Sequence, residues 1–66
     1  MKVLVNGQTH QFETSMTISG VLDVLGYKRG TVSVALNQTF VTRNDHDVTF
    51  VKDGDELDIV APRQGG

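Results

Sequence analysis

The sequence predicts an α+β domain, a mixed sheet packed against one helix. Three observations predict it. Apolar residues alternate with polar ones near both ends and in the middle of the chain. A four-point apolar stripe at helical spacing lies between the first two of these regions. The turn signals Asn6-Gly7, Asn37-Gln38 and Asp53-Gly54 separate the segments. The resulting order is strand, strand, helix, strand, short strand, last strand, and one helix must then cover one sheet face.

Each element has its own reason. Val3 and Val5 alternate with Lys2 and Leu4 ahead of Asn6-Gly7, so residues 2–13 read as a hairpin. Asn-Gly suits a type I′ turn, in which both central residues need positive φ. The return strand is expected over Gln8 to Glu13, with Phe12 inward and His10 on the outer face. Ile18, Val21, Leu22 and Leu25 fall at i, i+3, i+4 and i+7 and mark a helix over 17–26. Ser15 or Thr17 offers the N-cap oxygen, and Gly26 is a fitting stop. Val32, Val34 and Leu36 share one strand face, with Ser33 and Ala35 on the other. Phe40-Val41 is a short strand. Arg43 to Asp47 reads as polar and irregular, and Val48 to Lys52 as a connection with Val51 inward. Glu56 to Val60 is the last strand, with Leu57 and Ile59 facing in, and Pro62 cannot extend its ladder. The expected organisation is a folded domain over 1–62 and a flexible tail over 63–66.

Length and charge narrow the function classes. At 66 residues the core is small, and a walled substrate cleft has little room. A net charge of −2 argues against a nucleic-acid partner, which needs a basic stripe. No apolar run approaches the ~20 residues of a membrane span, and the apolar start is too short for a signal peptide. The chain is expected to be cytoplasmic and monomeric when free. Cysteine is absent, which removes a disulfide framework, a thiolate nucleophile and a Cys-based metal site.

Local clusters do not build an active site. His46 lies between Asp45 and Asp47, but adjacent residues in one loop rarely converge on a metal, so a solvated loop is expected. Asp53, Asp55, Glu56 and Asp58 lack EF-hand spacing and read as a polar turn and strand edge, or a contact for a basic partner. Neither a nucleophile elbow nor a Gly-rich phosphate loop occurs. No catalytic residue and no bound cofactor or metal is expected.

Two features point to a partner instead. Ala35, Phe40 and Val60 occupy strand positions that alternation turns away from the helix, a candidate partner surface. Beyond Val60 the chain reads Arg63, Gln64, Gly65, Gly66. Six residues from Ala61 span at most roughly 20 Å, enough to enter another protein's slot, and paired glycines remove side-chain bulk there.

The element order and terminal glycines resemble the ubiquitin-like β-grasp proteins. Within them the chain is most similar to the thiamine sulfur-carrier family, ThiS. The resemblance covers essentially the whole chain. It is carried by Val5-Asn6-Gly7, Val34-Ala35-Leu36-Asn37, Val41-Thr42-Arg43, the segment from Lys52 through Asp53-Gly54-Asp55 to Val60, and Gly65-Gly66. Thr42 stands where that family commonly has Pro, and Gln64 where many members have an apolar residue or a third Gly.

The resemblance implies a sulfur carrier. Gly66 would be adenylated by a ThiF-type adenylyltransferase that uses ATP and Mg²⁺. A persulfide donor protein would then convert it to a thiocarboxylate, and a ThiG-type thiazole synthase would take the sulfur for the thiazole ring of thiamine. Gly65 would give clearance in the slot, and Arg63 and Gln64 would complete the tail. The alternatives are a MoaD-like carrier for molybdopterin synthase, a ubiquitin-like modifier joined through Gly66, and a β-grasp interaction module with an idle terminus.

Overall fold

The computed structural model describes residues 1–28 and 30–62. A five-stranded mixed sheet is built from β1 (Lys2–Val5), β2 (Gln8–Gln11), β4 (Ser33–Leu36), β5 (Thr39–Val41) and β7 (Glu56–Val60). One helix, α1 (Ile18–Leu25), follows the first hairpin. A second, two-stranded sheet pairs β3 (Met16–Thr17) with β6 (Phe50–Val51) antiparallel. The large sheet runs β2-β1-β7-β4-β5, so the strand made last lies in the middle. It is parallel to β1 and antiparallel to β4. This is the expected mixed sheet with a single helix.

Local chemistry explains each boundary. Asn6 and Gly7 take φ of 49° and 84°, as a two-residue hairpin turn of this hand requires, and Asn37 and Gln38 repeat the arrangement between β4 and β5. The Thr17 Oγ1 accepts the Gly20 N–H at 3.2 Å and caps α1, a bond whose loss typically costs about 1 kcal/mol. Gly26 closes the helix in the left-handed region, its N–H turned back to the Asp23 and Leu22 carbonyls.

The core lies between α1 and one face of the large sheet. Val3, Ile18, Val21, Leu22, Val34, Val51 and Leu57 are almost wholly buried, with Val5, Phe12, Val32 and Ile59 around them. The expected inward residues of every strand are therefore inward.

Four expectations need correction. The return strand ends at Gln11 rather than Glu13. His10 faces the core side, not the outside. The tight turn pairs Val3 with His10, and directly paired residues share a face. The His10 ring stacks on Phe12 with centroids 6.3 Å apart. His46 is not in a solvated loop. It is buried, its Nε2 lies 3.1 Å from the Val41 carbonyl, and its own carbonyl accepts the Ser19 N–H at 3.0 Å. The 43–52 segment is also more ordered than its composition suggests. A 3-10 turn at Arg43–Asp45 leads into His46, and β6 then pairs with β3.

The central strand is held by two asparagines. The Asn6 N–H donates to the Leu57 carbonyl at 2.9 Å, and there the backbone ladder from β1 stops. The Asn6 carboxamide continues it. Its Oδ1 accepts the Ile59 N–H at 2.7 Å and its Nδ2 donates to the Ile59 carbonyl at 3.1 Å. At the other end of β7, the Asn37 Oδ1 accepts the Glu56 N–H at 2.9 Å, while the Asn37 N–H donates to the Glu56 carbonyl at 2.8 Å.

Asn6→Ala leaves both Ile59 backbone groups without these partners and is expected to destabilise the domain by about 1–3 kcal/mol. Urea denaturation measures it, and a midpoint equal to wild type would refute the bridging role. His46→Ala is expected to cost about 2–4 kcal/mol through a cavity and an unpaired Val41 carbonyl. The exposed neighbour Asn44→Ala is expected to stay within about 0.5 kcal/mol of wild type.

Candidate functional site

The site is built where β7 leaves the sheet. Ile59 is buried and tied to Asn6, and one residue later Val60 stands 64% exposed. Ala61 and Pro62 follow, both exposed. The alternation of β7 thus turns from core to surface at the root of the C-terminal segment. The four residues expected to form the tail (Arg63, Gln64, Gly65 and Gly66) lie outside the described residues.

The expected partner surface comes together on one face. Ala35 pairs directly with Phe40 of β5 and with Asp58 of β7, so the three side chains project to the same side. Val60 pairs with Ser33, two residues from Ala35 on that face. Phe40 is 65% exposed and Ala35 half-buried between its neighbours. This is the side opposite Val34, Leu57 and Ile59, and hence opposite α1. Leu4 extends the surface across β7, paired with Glu56. Its place was readable in the strand parity, because Leu4 is out of phase with Val3 and Val5.

The acidic cluster divides into two groups. Asp53 and Asp55 serve the turn before β7. The Asp53 Oδ1 accepts the Lys2 N–H at 2.7 Å, the Asp55 Oδ2 accepts the Lys52 N–H at 2.7 Å, and the Asp55 Oδ1 accepts from the Asn37 Nδ2 at 3.0 Å. Glu56 and Asp58 instead share the outer sheet face with Leu4, Ala35 and Phe40. The outer face is therefore apolar at its β5 side, with carboxylates along its centre.

Two clefts of about 230 Å³ each adjoin at Gly30 and Arg43, and one of them lies at the exit of β7. One is lined by Gly30, Thr31, Val32, Ser33, Arg43, Val60 and Pro62. The other shares Gly30 and Arg43 and adds Ser19, Leu22, His46 and Asp47. The second holds a serine, a histidine and a carboxylate, but not as a nucleophile with its base. The Ser19 hydroxyl donates to the Asp47 Oδ1 at 2.5 Å, and the His46 Nε2 faces the Val41 carbonyl. Among the described residues no group of three or more His, Cys, Asp or Glu could hold a metal ion, and no helix is long and apolar enough to cross a membrane.

Comparison with known proteins fits this geometry. The ThiS family model matches residues 3–66. The fold superposes on the crystal structure of a thiamine biosynthesis protein (ThiS) from Geobacter metallireducens with a TM-score of 0.84. The two are 30% identical, and the match covers all of both chains. A solution structure of a thiamine biosynthesis protein from the same organism also gives a TM-score of 0.84, at 32% identity over the whole of this chain and 88% of that one. Two thiazole synthases are similar over all 66 residues, at 38% identity in Paramagnetospirillum magneticum and 30% in Magnetococcus marinus. The chain spans 20% of the length of each of these two relatives. With the β-grasp fold, the exposed exit of β7 and a family match that runs from the first strand through both glycines, the chain belongs to the ThiS family.

Proposed function

We propose that this chain is a sulfur carrier for thiazole formation in thiamine biosynthesis, with Gly66 as the atom-carrying residue. The observation that carries this reading is the family match over residues 3–66, which includes Gly65 and Gly66. It is supported by the names of similar proteins, a thiamine biosynthesis protein and thiazole synthases. The thiazole synthases favour this pathway over a molybdopterin carrier or a protein modifier.

The chemistry follows from a carboxylate's weakness as an acyl donor. An α-carboxyl has a pKa near about 3.5, so the free carboxyl that this reading places on Gly66 would be an anion at neutral pH. Its oxygen attacks the α-phosphorus of ATP held with Mg²⁺ on a ThiF-type adenylyltransferase, and pyrophosphate leaves. The acyl-adenylate now has AMP as a leaving group. The terminal sulfur of a donor persulfide attacks the acyl carbon and displaces AMP. A thiol then cleaves the sulfur–sulfur bond, leaving the thiocarboxylate on Gly66 and a disulfide on the donor side. A ThiG-type thiazole synthase takes the sulfur. In this reading the chain is a co-substrate, and the ATP and Mg²⁺ belong to its partner.

Ala35, Phe40 and Val60 form the surface on which the adenylyltransferase docks. Phe40 and Val60 are exposed and Ala35 is half-buried on one sheet face beside the exit of β7, which supports that role. Gly65 and Gly66 offer no side chain to a narrow slot, and Arg63 and Gln64 join them to the domain.

Incubation with ATP, the cognate adenylyltransferase, a persulfide donor and a thiol is expected to raise the intact mass by about 16 Da, one oxygen exchanged for sulfur. Deleting Gly66 is expected to leave the fold intact and abolish AMP acceptance, and a truncated chain that still takes AMP would refute the assignment. Phe40→Asp is expected to raise the KM for the carrier in ATP–pyrophosphate exchange by about tenfold or more, as loss of a central aromatic anchor does. An unchanged KM would remove Phe40 from the interface.

A further inference from the structure

Arg43 is placed with more care than an exposed loop residue needs. Its backbone sits between the end of β5 and the buried His46, whose N–H donates to the Arg43 carbonyl at 3.1 Å. The Asp45 N–H donates to the Thr42 carbonyl at 2.9 Å and closes the same turn. The side chain lies over Gly30, where a built Cβ would be 3.8 Å from the guanidinium carbon. Gly30 itself has φ of 78°, a backbone region that side-chain-bearing residues rarely adopt. Arg43 is an exposed residue, and it forms no salt bridge with another described residue. It borders the cleft that Val60 and Pro62 also line.

The surroundings select a ligand class. An always-charged planar fork with five donors suits a carboxylate, which it can hold by two parallel bonds. The cleft brings the Thr31 and Ser33 segment and the apolar Val60 to the same rim, so an acidic side chain arriving there would be flanked by apolar contact. Val60 also belongs to the outer apolar face, which makes the cleft continuous with the docking surface proposed above.

We propose that Arg43 is a positioning residue for activation: it takes an Asp or Glu side chain of the adenylyltransferase at the rim of this cleft, and so fixes the direction in which the C-terminal segment leaves β7. The inference rests on the sulfur-carrier reading. Arg43 does not touch the reacting atoms. It sets how often the carrier docks with its last residues in line with the slot.

The test is ATP–pyrophosphate exchange with the cognate adenylyltransferase and the full chain, reading KM for the carrier separately from kcat. Arg43→Ala is expected to raise KM about tenfold and Arg43→Glu further, with kcat within about twofold of wild type. Arg43→Lys is expected to fall between wild type and Arg43→Ala, because it keeps the charge and loses the fork. Raising salt is expected to increase KM for wild type and much less for Arg43→Ala. Arg43→Glu with a native circular-dichroism spectrum and wild-type KM would overturn the inference while leaving the sulfur-carrier reading intact. Wild-type chain that accepts no AMP would overturn both. Loss confined to kcat would also refute a docking role.

Discussion

Everything in this fold depends on the pairing of β7 with strands on both of its edges. β1 and β4 do not touch each other through backbone hydrogen bonds; each is bonded to β7. The buried Leu57 and Ile59 anchor that strand in the core under α1. Where the β1 backbone can no longer reach, the Asn6 carboxamide supplies one donor and one acceptor to Ile59. Asn37 does related work on Glu56. A side-chain amide presents the same two groups as a peptide unit, so it can stand in for a missing backbone partner in a ladder.

That constraint bears directly on function. In the proposed function the residues beyond Pro62 are presented to another protein, which calls for a fixed root. The root here is the last residue of the best-supported strand, and Val60 emerges one position after a doubly bonded Ile59. The two sheet faces have separate tasks. The inner face, with Val3, Val34 and Leu57, is consumed by α1 and the core. The outer face keeps Leu4, Ala35, Phe40 and Val60 accessible along a rigid pleat, with Glu56 and Asp58 among them. In the proposed function the chemistry at Gly66 is supplied by the partner protein, so the reading asks for no acid, base or metal on this chain.

Strand parity made most of this readable. Val3, Val5, Val34, Leu57 and Ile59 were identifiable as inward residues, and Ala35, Phe40 and Val60 as outward, because a period of two leaves little choice once one residue is placed. The helix followed from its stripe, and the hairpin turns from Asn6-Gly7 and Asn37-Gln38. The elements that the sequence does not reveal lack periodicity. β3 and β6 have two residues each, too few to show a pattern, and their pairing joins distant segments. The burial of His46 depends on a contact with Val41 and Ser19 across the fold, while its neighbours Asp45 and Asp47 advertise a polar loop. His10 shares strand parity with Phe12 and pairs with Val3, which places it inward although its polarity suggests the outer face. Arg43 could be noticed as part of a family motif, but its position over Gly30 beside Val60 is a property of the folded chain alone.

The central place of β7 also governs the order in which the molecule can assemble. Residues 2–11 and 33–41 form two hairpins, and within the large sheet they share no edge until residues 56–60 slide between them. Leu4 and Glu56, paired in the finished sheet, are separated by most of the chain, and contacts of that range form slowly because loop closure comes first. Without residues 56–60, each hairpin has an unpaired inner edge in the large sheet. Closure of the large sheet therefore waits on the last strand, and the outer face that Ala35, Phe40 and Val60 share is complete only when residues 56–60 are in place.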